Sequence, residues 1–190
     1  GAYVKENGAW KKSVKPRPSE IDDWTHYYYS ARGNAVSKDM CVAPPERLQW
    51  VGSPRWSRHH DRMSSLSAMV SSNGRLFYVM DEGSRISILL PPKWVLIARD
   101  AFNGTILWKK PLEKWQDHLW PLKSGPTQLA RRLVADGGRI FVTLGLNEPV
   151  SCLDGATGEP IRAYDNTRGA EEVLFVSGVL YVLVNPQSWQ

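Results

Sequence analysis

The sequence predicts an all-β fold: a partial β-propeller of about two and a half four-stranded antiparallel blades, preceded by an extended N-terminal leader. Three observations carry that expectation. Beyond Met63, short alternating or apolar segments follow one another between Gly, Asn and Asp turns, and none sustains the i, i+3, i+4, i+7 stripe of a helix. A turn-and-strand unit then recurs at residues 72–79, 136–143 and 176–183, with its glycine at Gly74, Gly138 and Gly178. The glycines are 64 and 40 residues apart. About 40 residues is the length of one propeller blade, and the longer interval fits a blade carrying insertions at 82–93 and 113–125. Between these units lies a third signal, a strand that ends at Asp100 or Asp154 and turns through Asn103-Gly104 or Thr157-Gly158.

Taken in order, residues 2–5 and 9–14 flank Asn7-Gly8, the dipeptide that supplies positive φ in a tight hairpin turn. Lys15-Pro16-Arg17-Pro18 breaks regular structure and reads as a linker. Residues 19–62 are polar and aromatic, rich in turn formers, with one short strand expected at 48–51. Residues 63–190 hold the blades. Strands are expected at 65–71, 76–80, 94–100, 106–109, 128–135, 140–144, 150–153, 160–164, 172–176 and 180–184. The segment 128–133 has some helical character, but strand is the expectation there. The segments 76–80, 140–144 and 180–184 are expected at equivalent inner positions of successive blades, because each follows a Gly turn and carries apolar residues on both faces.

The chemistry of the second repeat is legible. An Asp carboxylate at the strand end accepts backbone N–H groups of the following turn. The Gly supplies the left-handed residue that reverses the chain. Four residues beyond that Gly stands a large side chain, Trp108 in the first copy and Arg162 in the second.

Composition narrows the classes. No apolar run approaches the roughly 20 residues of a membrane helix, so no membrane span is expected. No export signal is legible, since Lys5, Glu6 and Asn7 interrupt the N-terminal segment. Two cysteines, Cys41 and Cys152, lack disulfide-framework or metal-site spacing, and each is expected to be a small buried apolar residue. The net charge of +5 permits an acidic partner. The basic residues are interleaved with Glu20, Asp22, Asp23, Glu113 and Asp117, which argues against a nucleic-acid face. Nine tryptophans supply either packing area between sheets or a stacking surface for a ligand.

Residues 98–108 and 152–162 resemble the repeat of the pyrroloquinoline-quinone (PQQ)-binding type of β-propeller, whose core is Ala-x-Asp-x-x-Thr-Gly-x-x-x-Trp. The first copy has Asn103 for Thr; the second has Cys152 for Ala and Arg162 for Trp. The structural motif residues are Asp100, Asn103, Gly104, Trp108, Asp154, Thr157 and Gly158. The resemblance spans residues 63–184, and Asp23-Trp24, followed by Gly33-Asn34-Ala35-Val36 and then Leu48-Gln49-Trp50, looks like the segment that runs into the outer strand of the first or closing blade. It implies a ring of about seven or eight blades, whose closure removes exposed strand edges. The remaining blades are expected from further sequence, another chain or a second copy. The resemblance also implies a periplasmic or extracytoplasmic setting.

Dehydrogenases of this family hold calcium through Glu, Asn and Asp. Many stack the quinone against a disulfide of adjacent cysteines. Here the cysteines lie 111 positions apart and no carboxylate cage stands out. No cofactor is evident, and PQQ with calcium is expected only in a completed propeller. Two polar clusters are candidate ligand-binding sites. Arg55, Trp56, Arg58, His59, His60 and Asp61 offer anion-binding and metal-ligating groups, or else form a polar loop whose arginines bond carbonyls. His118, Trp120 and Lys123 share a long loop and, with Arg131, are placed at the same mouth of the ring, or else form an ordered interblade loop. The leading functional expectation is a non-catalytic binding or scaffold propeller. The alternative is part of a PQQ-dependent oxidoreductase whose cofactor site lies mostly outside these residues.

Overall fold

The computed structural model describes residues 2–14, 16–42, 44–55, 57–58, 65–87, 89–116 and 127–185. Strands β1 (Ala2–Glu6) and β2 (Ala9–Ser13) form the N-terminal hairpin, turning at Asn7 and Gly8, both at positive φ. Its described side chains are exposed. No helix among the described residues is long and apolar enough to cross a membrane.

Two four-stranded antiparallel sheets follow. The first is β3 (Leu66–Ser72), β4 (Arg75–Asp81), β5 (Trp94–Asp100) and β6 (Ile106–Pro111), paired in that order. A short helix α1 (Thr127–Ala130) leads into the second: β7 (Leu133–Asp136), β8 (Arg139–Thr143), β9 (Val150–Asp154) and β10 (Pro160–Tyr164). After a 3₁₀ turn at Asp165–Thr167, β11 (Ala170–Val176) and β12 (Val179–Val184) make a two-stranded sheet. The first strands of the three sheets lie side by side, β3 against β7 and β7 against β11. These are two blades and half of a third. The segments 76–80, 140–144 and 180–184 fall in β4, β8 and β12, the second strand of each sheet.

The core lies between the blades. Val70, Phe77, Val79, Leu96 and Ala98 of the first blade pack against Leu133, Ala135, Ile140, Val142 and Leu153 of the second. Val134, Phe141, Val150 and Cys152 on the second blade's other face meet Ala170 and Val173, with Phe175, Leu180 and Val182 alongside. The Phe141 and Phe175 rings stack at 4.4 Å. Fully burying each such Leu, Val, Ile or Phe contributes about 1.5–3 kcal/mol, so blade-to-blade faces dominate the fold's stability.

Three expectations need correction. Residues 48–51 form no strand. Side chains anchor that segment instead, with Gln49 Nε2 donating to the Phe102 carbonyl and Trp50 Nε1 to the Ala101 carbonyl. The stretch 128–135 begins as helix α1 and becomes strand only at Leu133. There Leu129 packs into the interblade core, and tertiary burial overrides the β-leaning of the sequence. Cys41 is exposed, whereas Cys152 is buried, where burial pushes its thiol pKa up.

Candidate sites on the leader and the open blade

Each Asp-to-Gly turn is built alike. Asp100 Oδ1 accepts the N–H groups of Phe102 and Asn103; Asp154 Oδ1 accepts those of Ala156 and Thr157. The Thr157 and Ala156 amides hold the Asp154 carboxyl below its ordinary pKa. Gly104 and Gly158 both have φ of +73 to +76°, and a Cβ at Gly158 would sit 2.8 Å from the Trp108 indole. Trp108 of β6 lies across the second blade's turn, its Nε1 donating to the Gly155 carbonyl at 3.2 Å. Trp50 lies in the same way across the first blade's turn, its Nε1 donating to the Ala101 carbonyl at 3.0 Å. Ala101 and Gly155 follow Asp100 and Asp154 directly, so the leader's Trp50 occupies the place of a preceding blade's outer-strand Trp. Arg162, on the second blade, instead lies 5.0 Å over the Tyr164 ring.

The leader also covers the first blade's outward face. Tyr78, Val95 and Ile97 there are buried. Arg99 Nε donates to the Tyr78 hydroxyl, and its terminal nitrogens donate to the carbonyls of Gly104 and Ser53. Beside this contact, Arg55 and Arg58 line a cleft of about 570 Å³ together with Asp81, Glu82, Arg85 and Lys109. The Arg58–Asp81 ion pair is 2.7 Å long and its side chains are 1% and 3% exposed. Arg58 also donates to the carbonyls of Ser84, Ser87 and Leu90. Arg58 therefore ties the 82–93 insertion to the leader, the carbonyl-binding reading of that cluster. Lys109 is paired with Glu82 at 2.6 Å.

Arg131 stands elsewhere. It pairs with Glu172 at 3.3 Å, faces the Tyr28 ring at 5.7 Å and lines a cavity of about 110 Å³ with His26, Tyr27 and Tyr28. The structure does not bring Arg131 together with Arg55 and Arg58. Trp56, His59, His60, Asp61, His118, Trp120 and Lys123 lie outside the described residues. The adjacent Arg132 is buried and donates to the Leu146 carbonyl, and burial draws its pKa down to about 10.

The sequence reading missed the path of residues 22–29. Trp24 exchanges two hydrogen bonds with Ser71 of β3: its carbonyl accepts the Ser71 N–H at 2.7 Å, and its N–H donates to Ser71 Oγ at 2.9 Å. The Thr25 carbonyl accepts the Ala135 N–H of β7 at 3.0 Å. His26 Nε2 accepts the Phe175 N–H of β11 at 3.2 Å. Ser71, Ala135 and Phe175 each precede a repeat glycine by three positions. Three consecutive leader residues thus strap one equivalent amide in the first strand of each of the three sheets, β3, β7 and β11. The Tyr29 hydroxyl, donating to Asp22 at 2.5 Å, closes this segment on itself and lowers the Asp22 pKa. Nothing in the local sequence marks His26 for this role; its partner is 149 positions away.

Among the described residues, nothing covers the far side of the third blade. Leu174, Val176, Val179, Tyr181 and Leu183 share the face opposite Phe175, Leu180 and Val182. Tyr181 is 56% and Leu183 58% exposed, whereas their counterparts on β8, Phe141 and Thr143, are 1% and 0%. The edge of β12 that has no strand partner among the described residues corresponds to the edge of β8 that pairs with β9.

Among the described residues, no group of three or more His, Cys, Asp or Glu side chains converges to hold a metal ion.

No family model matches the chain, and no curated protein matches it. Solved structures do. A europium-containing methanol dehydrogenase is similar at 17% identity and a TM-score of 0.39, over 70% of this chain and 22% of that one.

Proposed function

We propose that this chain is a non-catalytic binding or scaffold segment of a PQQ-like β-propeller, and that it works through the open third blade. The observation that carries the reading is the contrast between β12 and β8. The same repeat position is buried and paired in the second blade, but apolar and exposed on both edge and face in the third. The occupant such a surface suits is a pair of antiparallel strands, the third and fourth of that blade. Further sequence, another chain or a second copy would each supply it. Main-chain pairing along β12 gives affinity, and apolar cover over Tyr181 and Leu183 drives it. The repeat resemblance supports a periplasmic or extracytoplasmic setting.

Light scattering of the 190-residue chain across a concentration series tests this. Self-association is expected, and Leu183→Lys on the open face is expected to weaken it. A wild-type chain that stays monomeric with a cooperative melt would overturn the reading. Titration with PQQ and calcium, followed by Trp fluorescence, separates the alternative: saturable quenching at one equivalent would favour a quinoprotein subunit.

A further inference from the structure

Of the three strap contacts, those at Ser71 and Ala135 are made by backbone carbonyls, which do not titrate. The contact at Phe175 is made by an imidazole nitrogen. Because Nε2 accepts the Phe175 N–H, the neutral ring carries its proton on Nδ1. There it faces Thr25 Oγ1 at 2.7 Å, and Thr25 Oγ1 in turn donates to the Tyr29 carbonyl at 3.3 Å. All three bonds have a consistent direction only in this tautomer. A second proton on Nε2 would point at the Phe175 N–H, donor against donor.

We propose that His26 is an acid-released latch between the leader and the third blade: protonation of Nε2 frees the Phe175 amide while the strap stays bound to the first two blades. The ring is 6% exposed, so the charged form also loses hydration. The charged groups around it are Asp136 at the end of β7, Arg131 just before β7, Glu172 on β11 and Arg32 of the leader, which lines the same cavity. Asp136 attracts an imidazolium; Arg131, ion-paired to Glu172, offers little net field. Burial outweighs Asp136 and draws the His26 pKa below its ordinary value. The sign follows from that direction. The contact is fully present above the ordinary value of about 6.5 and is lost progressively as pH falls through the folded value.

The test is amide exchange by NMR on the full chain, at about pH 7.5 and about pH 5, corrected for intrinsic exchange. Expected is a protection factor at Phe175 that falls by about tenfold per pH unit from about pH 6.5 downward and levels off below the lowered folded pKa of His26, with Ser71 and Ala135 unchanged. At the higher pH, the His26 ring nitrogens should show the Nδ1–H tautomer. In His26→Gln the side-chain carbonyl replaces Nε2 as a non-titrating acceptor, and Phe175 protection should become independent of pH. The proposal is overturned by a wild-type Phe175 amide equally protected at both values. It is also overturned by His26→Gln losing protection in acid as wild type does, or by the Nε2–H tautomer.

Discussion

Trp50 and Trp108 are a leader residue and a blade residue set in the same socket, each indole N–H on the carbonyl that follows the turn's Asp. The indole packs where a Cβ on the turn glycine would collide, so each socket needs both the Trp and the Gly. Replacing Trp108 with Ala is expected to destabilise the chain by about 3 kcal/mol, the low end for such a change because part of the ring is exposed. Trp10, 70% exposed on the hairpin, should cost no more than about 0.5 kcal/mol. Equal melting-temperature losses in the two variants would contradict the socket. Arg58 and Asp81 offer a second residue-scale case. Removing one partner strands a buried charge, so Arg58→Met is expected to cost about 3–5 kcal/mol. The double variant Arg58→Met with Asp81→Asn should be milder than the two losses added, and thermal melts of the cycle measure the difference.

At the scale of elements, β4, β8 and β12 are one design met in three surroundings. Each follows a turn with two positive-φ residues, at Asn73-Gly74, Gly137-Gly138 and Ser177-Gly178. Each pairs with the strand before it, and β4 and β8 also pair with the strand after it. β12 lacks that second partner among the described residues, which leaves its N–H and C=O groups along one edge unpaired by any described strand. Tyr181→Lys combined with Leu183→Lys is expected to shift the chain toward monomer without melting the first two blades. Those blades should keep their exchange protection, and its loss would mean that the open face is needed for the fold itself. Where the third blade is bare, the first is not: the leader's Trp50 and its Ser53 carbonyl take the place of a preceding blade.

For the molecule as a whole, acid acts in one direction. His26 is depressed by burial, Asp22 by the Tyr29 hydroxyl and Asp154 by the Thr157 and Ala156 amides. For each, the unfolded chain binds protons more readily, so stability is present above the unfolded pKa and lost as pH falls. The windows differ: below about 6.5 for His26 and below about 3.9 for the carboxylates. Acidification should therefore loosen the leader from the third blade before the blades melt. A pH series of exchange protection checks this order, and simultaneous loss at Phe175 and in β4 and β8 would contradict it.

Blade number, strand order and the Asp-to-Gly turns were legible in the sequence because their causes are local. Alternation, positive-φ turn residues and a repeat near 40 residues all act within one blade. Trp108 was legible too, since its socket lies on the next copy of the same repeat. The leader was not. Its segments carry no period, and what holds them is a set of single contacts to distant strands and turns: backbone carbonyls of Trp24 and Thr25 to Ser71 and Ala135, and the side chains of Trp50 to Ala101, Arg58 to Leu90 and His26 to Phe175. Among the described members of the two polar clusters, Arg58 likewise reaches distant carbonyls and Arg131 stands beside Tyr28. A sequence specifies which hydrogen-bonding groups exist. Which strand end each one meets is decided only when the blades pack and bring residues far apart in the chain within 3 Å or so.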